Sequence, residues 1–272
     1  MTTMDSTTMD STTMDGREAW RPGELWRDIA RGGLAGLVVG IVVAGFGGRI
    51  AMRLAALRVG DATGALTENG NRIGDITLAG SLGLILIGLL FGALAGTVWV
   101  VIRPWLPGAG LRRALVAMIV AIGLGSFGLI RGGNSDFMVL RHDPVVVGLL
   151  VGLVGLIGLS ISLVDGWLDR LMPVAASVTS RPTSIYVAIS LVGALLILPI
   201  VVSAFLGSDM RSAGFGLVVV GVATLRWWML RFRGASRPSN ALLVVGRLSL
   251  LIAVAFGFAV ELPEIGGALG LG

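Results

Sequence analysis

The sequence contains no cysteine, no lysine and no glutamine, and only 14% of its 272 residues are charged. The lack of cysteine excludes disulfides and thiolate chemistry. A single histidine is too few for the usual ligand sets of zinc, so we expect no metal, and we expect no other cofactor. Soluble domains average about 25% charged residues, so water is not the main solvent of this chain.

Long apolar runs replace the missing charge, and 55% of the residues are hydrophobic. Only helices and closed barrels span a bilayer, because every peptide group there needs an internal partner. Barrel strands alternate apolar and polar residues over about ten positions, whereas these runs continue for about twenty without alternation. The sequence predicts an all-α membrane protein, a bundle of about seven transmembrane helices. The expected spans are 32–54, 77–102, 112–130, 145–165, 184–207, 212–230 and 241–260.

Arginine supplies all 21 basic residues, and its distribution predicts the orientation of the bundle. Segments that would share the side of the N-terminus contain Arg17, Arg21, Arg27, Arg31, Arg103, Arg112, Arg113, Arg170, Arg181, Arg231, Arg233 and Arg237. The opposite side receives Arg58, Arg72, Arg131, Arg141 and Arg211. Positive loops stay in the cytoplasm, so we expect the N-terminus inside and the C-terminus outside, in the plasma membrane of a bacterium. The same rule explains the net charge of +5 without any nucleic-acid partner.

Four regions follow from composition. Residues 1–15 repeat Thr-Thr-Met-Asp and predict a disordered tail. Residues 16–31 mix tryptophan and arginine, as in an amphipathic segment lying at the headgroups. Residues 32–260 are the predicted transmembrane bundle, and 261–272 form a short C-terminal tail.

Glycine recurs at helical spacing in the first two spans. One series, four residues apart, runs through Gly32, Gly36, Gly40, Ala44 and Gly48, and another through Gly88, Gly92 and Gly96. Such stripes let helix backbones approach closely, which indicates tight packing within one bundle or, alternatively, an interface between copies of the chain.

Between the predicted helix ends we find no Asp, Glu, His, Asn or Gln, and nothing resembling a catalytic constellation. An ionisable group inside the membrane is the usual mark of an ion path, so this absence disfavours an ion-coupled pump. A carrier whose site uses backbone carbonyls, hydroxyls and aromatic rings stays compatible with the sequence.

A candidate ligand site lies on the predicted outer side. Arg49 and Arg53 are four residues apart on one helical face, about 27 Å above Arg31 at 1.5 Å per residue. Snorkelling to the headgroups is the simpler interpretation of this pair. The alternative is pairing with Glu68, Asp75, Asp136 or Asp143, which would order the outer loops. We expect any ligand site among these same residues, with the arginine pair and His142.

Two further arginines, Arg226 and Arg247, lie about 6–9 Å inside the predicted inner boundary. Asp165 and Asp169 end the fourth span on the same side, and we expect structural pairing between these acids and the arginines. Binding of an anionic lipid headgroup, with help from nearby tryptophans, is the other interpretation.

Several segments of the first 165 residues resemble a group of uncharacterised actinobacterial-type polytopic membrane proteins. The resemblance rests on residues 48–54, 66–70 and 74–80, together with Asn134, Asp136, Phe137 and Leu140. It implies a membrane topology and attaches no activity.

These observations favour a non-enzymatic plasma-membrane protein, acting as a small-solute carrier or as a subunit of a membrane complex. Its expected partners are the lipid bilayer, an anionic lipid, and either a second copy or another membrane subunit. An enzyme acting on a lipid-linked or phosphate-bearing substrate is the alternative, with Arg49 and Arg53 holding phosphate and Asp136 or Asp143 as base.

Overall fold

A computed structural model describes residues 22–59, 78–125, 139–173, 181–206 and 211–271. All regular structure within these ranges is helical. The helices are α1 (Pro22–Val39), α2 (Gly48–Arg58), α3 (Leu78–Ile102), α4 (Gly110–Gly125), α5 (Pro144–Leu171), α6 (Arg181–Leu206), α7 (Arg211–Phe232) and α8 (Asn240–Ala268). A π-helical segment, Gly40–Gly47, joins α1 to α2, and a short 3-10 turn, Arg103–Trp105, follows α3.

Successive helical rods run in opposite directions. At one end of the bundle, which we call the near end, the start of α1 meets the ends of α3, α5 and α7 through ion pairs. The start of α8 also lies there, where Gly246 packs on Trp105. At the other end, the far end, Arg58 of α2 pairs with Asp143 before α5, and His142 contacts the carbonyl of Ala268 at the end of α8.

Four helices are long and apolar enough to cross a membrane, and the search that finds them covers the described residues only. They are Gly23–Arg58, Gly80–Trp105, Pro144–Leu171 and Asn240–Ala268. Large apolar side chains face outward along them; Leu57 and Ile252 are both 64% exposed. A soluble monomer does not present so much apolar surface, so this fold fits a membrane protein.

The two predicted glycine series pack against each other within the chain. A methyl group placed on Gly36 would lie 2.6 Å from the Cα atom of Gly96, and one on Gly92 would lie 2.6 Å from the Cα atom of Gly40. Real Cβ atoms do not approach so closely. The absence of side chains therefore allows α1 and α3 to pack backbone against backbone, as predicted for tight packing within one bundle.

The π-helical segment changes the register of the first series. Its wider turn advances the contact face by five residues instead of four, so Gly45 and not Ala44 follows Gly40 against α3. A methyl on Gly88 would lie 2.8 Å from the nitrogen of Gly45. Gly48 turns away from α3 and approaches Leu153 of α5. The prediction that the whole four-residue series lies on one contact face is therefore wrong beyond Gly40.

Trp105 joins three segments at the near end and is fully buried. Its indole nitrogen donates to the hydroxyl oxygen of Thr224 on α7, at 2.9 Å, and that hydroxyl donates to the carbonyl of Val101. Gly246 of α8 lies against the indole ring, where any side chain would collide with it. The tryptophan thus fixes α7 and α8 to the end of α3.

Two helices extend past the ends expected from the sequence. Residues 22–31, assigned above to a separate headgroup-level segment, are the first turns of the continuous helix Gly23–Arg58. At the other terminus, α8 continues to Ala268, so residues 261–268 are helical although they were assigned to a tail. Pro263 does not end this helix. The tail 1–15 lies outside the described residues.

Candidate functional site

Charged side chains of four chain segments meet at the near end in an ion-pair network. It contains four arginines and four acids, so its charges balance in number. Its members are Glu24, Arg27, Asp28, Arg31, Arg103, Asp165, Asp169 and Arg231. They come from α1, the turn after α3, α5 and α7.

The buried centre of the network is the pair Arg31 and Asp165. The Nε atom of Arg31 lies 2.8 Å from Oδ1 of Asp165, and the two side chains are only 8% and 5% exposed. Arg103 lies 3.2 Å from the same Oδ1 and 3.0 Å from a carboxylate oxygen of Asp28. Each guanidinium therefore bridges acids on two helices, which ties α1, α3 and α5 together.

The rim of the network is more open. Arg27 pairs with Asp169 at 2.9 Å and also donates to the main-chain carbonyls of Asp169 and Met172, at 2.6 and 3.0 Å. Those carbonyls end α5, where helices leave acceptors without internal donors, so Arg27 caps the helix. Arg31 also contacts Asp169. Arg231 reaches toward Asp28 and Glu24, at 3.7 and 3.9 Å.

Burial determines which of these contacts matter. Removing a charge from water costs several kcal/mol, and only close pairing with further hydrogen bonds offsets that cost. Arg31 and Asp165 meet this condition, whereas half of the Asp169 side chain is exposed. The buried pairing of Arg31, Arg103 and Asp165 therefore holds α1, α3 and α5 together only while each charge keeps its partners.

Asp165 and Asp169 bind other arginines than the sequence predicted. Asp165 and Asp169 were expected to pair with Arg226 and Arg247, but they pair with arginines of α1 and of the turn after α3. Arg226 is exposed on α7. Arg247 directs its Nε atom toward the carbonyl of Trp105, at 3.4 Å. Asp165 is buried in the interior of the bundle and Asp169 lies at the exposed rim of the network, and both bind arginines of α1 instead of Arg226.

The predicted outer site is only partly described. Asp143 caps α5 by accepting from the nitrogen of Val145 at 2.8 Å, and its second oxygen lies 3.2 Å from Nε of Arg58. The Nδ1 atom of His142 lies 3.0 Å from the carbonyl of Ala268, so this ring holds the end of α8. Three of the seven predicted ligand-site residues lie outside the described ranges, namely Glu68, Asp75 and Asp136.

The arginine pair of the predicted outer site splits between two environments. Arg49 is partly buried and Arg53 is exposed, although the four-residue spacing places them on neighbouring turns of α2. Among the described residues, no three His, Asp or Glu side chains come together as a metal site would require.

A second buried acid, Glu261, lies toward the far end on α8 and is fully buried. The sequence reading missed it because the seventh span was ended at residue 260. The available signal was the apolar continuation through Leu262, Ile265 and Ala268, which keeps the helical pattern past Pro263. The network was missed because Arg31 and Arg103 were read as separate boundary charges.

No family model, no curated protein and no solved structure matches this chain.

Proposed function

We propose that this chain is a non-enzymatic, multi-pass protein of a bacterial plasma membrane that carries a small solute, and that the near-end network is its cytoplasmic closure. The observation that supports this proposal is the buried pairing of Arg31, Arg103 and Asp165 between separate helices. A contact made of charges can separate into water at modest cost, because each group regains hydration. When an apolar contact of the same size opens, its surfaces are exposed to water, and no hydration of charges offsets that cost.

The packing also supports the proposal. Smooth glycine surfaces join α1 to α3 with little side-chain interlocking, whereas α1 and α5 are joined at the near end through charges. We propose that α1 and α3 move as one unit against α5 when the network opens. The resemblance to uncharacterised actinobacterial-type proteins is consistent with the proposed location and adds no substrate.

The enzymatic alternative has less support. Asp143, one of its two candidate bases, already caps α5 with one oxygen and pairs with Arg58 through the other. A general base needs a lone pair directed at its substrate.

The seven-span arrangement, with the N-terminus inside, can be tested with single cysteines, because the natural chain contains none. Ala109→Cys and Ser236→Cys lie in exposed near-end loops, and Leu271→Cys lies at the far end, where Leu271 is 79% exposed. We expect a membrane-impermeant maleimide to label Leu271→Cys in intact cells, and the other two only after permeabilisation. Labelling of all three from one side would contradict the arrangement.

Opening of the closure is testable at Ser162, which is buried three residues before Asp165 on α5, about 4.5 Å deeper in the bundle. In inside-out vesicles we expect a small charged thiol reagent to modify Ser162→Cys slowly. Adding Asp165→Asn should raise the rate at least about tenfold, the factor that corresponds to ~1.4 kcal/mol. We expect the faster reaction because, without the Asp165 carboxylate, the ion pairs no longer stabilise the closed state.

A buried cysteine away from the network provides the control. Ala253→Cys, on α8, is 2% exposed in the native chain and should stay unreactive with or without Asp165→Asn. If Ser162→Cys reacts no faster than Ala253→Cys in either background, the network is a fixed structural contact. That result would favour a subunit of a membrane complex over a solute carrier.

A further inference from the structure

Glu261 is the one charged residue on the buried face of α8. It is 0% exposed, and neither of its carboxylate oxygens has a hydrogen-bond partner among the residues that the structure describes. The remainder of that face is apolar or glycine, consisting of Leu242, Gly246, Leu250, Ala253, Val254, Gly257 and Ala268. The acid is therefore the one charged group in an otherwise apolar helix contact.

The helices around Glu261 come very close. One turn before it, Gly257 touches the carbonyl of Gly123 on α4. Two turns after it, Ala268 packs against Val147 of α5. Glu261 thus lies on the seam that α8 forms with α4 and, at its last turns, with α5, while α7 packs alongside α8.

Several charged groups belong to the elements that pack on α8 at this end. Glu264 lies one turn away on the same helix, Arg141 and His142 precede α5, where His142 contacts the end of α8, and Arg211 is the first residue of α7. None of them forms a hydrogen bond with the Glu261 carboxyl group, whose two oxygens are without a partner in the described part of the chain. The described part of α4 is uncharged after Arg113, at its near end, and α5 is uncharged from Pro144 to Val164. A carboxylate would therefore be isolated here at a cost of many kcal/mol, and a carboxyl group so placed takes up a proton instead.

We infer that Glu261 is the proton-binding site of this protein: it holds a proton while the seam is closed and releases it when the seam opens to the far side. On release the carboxyl O–H bond breaks, the proton passes to water, and a hydrated carboxylate remains. Glu261 comes 21 residues after Asn240, which is about 31 Å along the helix and close to the thickness of a hydrocarbon layer. A short opening is therefore enough to bring water to the acid.

The inference deepens the proposed function, because a proton at this position would be the ion coupled to solute movement. The protonation itself does not depend on transport. An experiment on the proton alone can therefore fail while the carrier proposal stands, and the thiol experiment at Ser162 can fail while Glu261 is still protonated.

Infrared spectroscopy of the full chain in liposomes at neutral pH tests the inference directly. We expect Glu261→Gln to remove one carbonyl-stretch band of a protonated carboxylic acid, a band that shifts in heavy water. Glu264→Gln is the matched control, three residues along the same helix, and should leave that band in place. Loss of carboxylate bands from the Glu261→Gln spectrum, with the acid band unchanged, would overturn the inference.

Thermal stability gives a second measurement. Glutamine resembles a neutral carboxylic acid in size and polarity, so Glu261→Gln should leave the Tm unchanged at neutral pH. Raising the pH should lower the Tm of the natural chain relative to Glu261→Gln, because the folded state keeps a proton that the unfolded chain gives up. A large loss of Tm in Glu261→Gln at neutral pH would point to an ionised, paired glutamate and contradict the inference.

Discussion

Asp165→Asn is expected to lower the free energy of unfolding by about 3–5 kcal/mol, the usual cost of removing one partner from a buried ion pair. Asp165 accepts from both Arg31 and Arg103, and asparagine leaves two buried guanidinium groups without their carboxylate. The measurement is the free energy of unfolding in mixed micelles, obtained by titration with a denaturing detergent. Asp169→Asn is the matched control, one turn further along α5.

The control should lose at most about 1 kcal/mol, because the Asp169 side chain is 51% exposed and water replaces much of its contact. A double-mutant cycle then identifies the partner. Asp165→Asn and Arg31→Gln together should lose less than the sum of the single losses, since both remove the same interaction. Asp165→Asn and exposed Arg226→Gln should be additive. The opposite result would assign Asp165 to Arg226, as the sequence first indicated.

Gly92→Ala is expected to destabilise the chain by about 1–3 kcal/mol, the range found when extra atoms are forced into a packed contact. The new methyl would lie 2.6 Å from the Cα atom of Gly40 and 3.0 Å from its nitrogen. Backbone atoms cannot move aside as a flexible side chain can, so α1 and α3 would have to separate.

Gly83→Ala is the matched control in the same helix. Nothing lies within 4 Å of a methyl at Gly83, so this substitution should be neutral or should stabilise by up to about 1 kcal/mol, the helix preference of alanine over glycine. Both variants are measured by unfolding in the same micelles. Equal effects of the two substitutions would show that α1 and α3 do not meet along the glycine series.

The positions of the helices could be predicted well because they follow from local properties. The first predicted span overlaps α1, the π-helical segment and α2 together, and each of the other six overlaps one helix, since apolar runs of about twenty residues form helices wherever water is excluded. The ends were less predictable. Pro263 suggests a helix end, yet α8 continues to Ala268, where packing against Val147 of α5 supports the last turns.

The candidate site was less predictable, because pairing depends on which helix faces are neighbours. Asp165 was recognised as an acid needing a cation, but several arginines lie at the same predicted depth. Depth follows from counting residues along one helix, whereas the choice of Arg31 and Arg103 depends on how α1, α3 and α5 are rotated. The π-helical segment could not be predicted from the spacing either. One extra residue in its turn brings Gly45 against α3 in place of Ala44 and directs Gly48 toward α5.

The sequence by itself determined an apolar, helical protein with glycine surfaces for close packing, because these features depend on composition and on spacing along the chain. The tertiary structure alone decided that the glycines of α1 meet those of α3, that Asp165 binds arginines from two other segments, and that Glu261 is enclosed. Each of these depends on the relative rotation of helices distant in sequence, a quantity set by the sum of many weak contacts and by no single residue pattern.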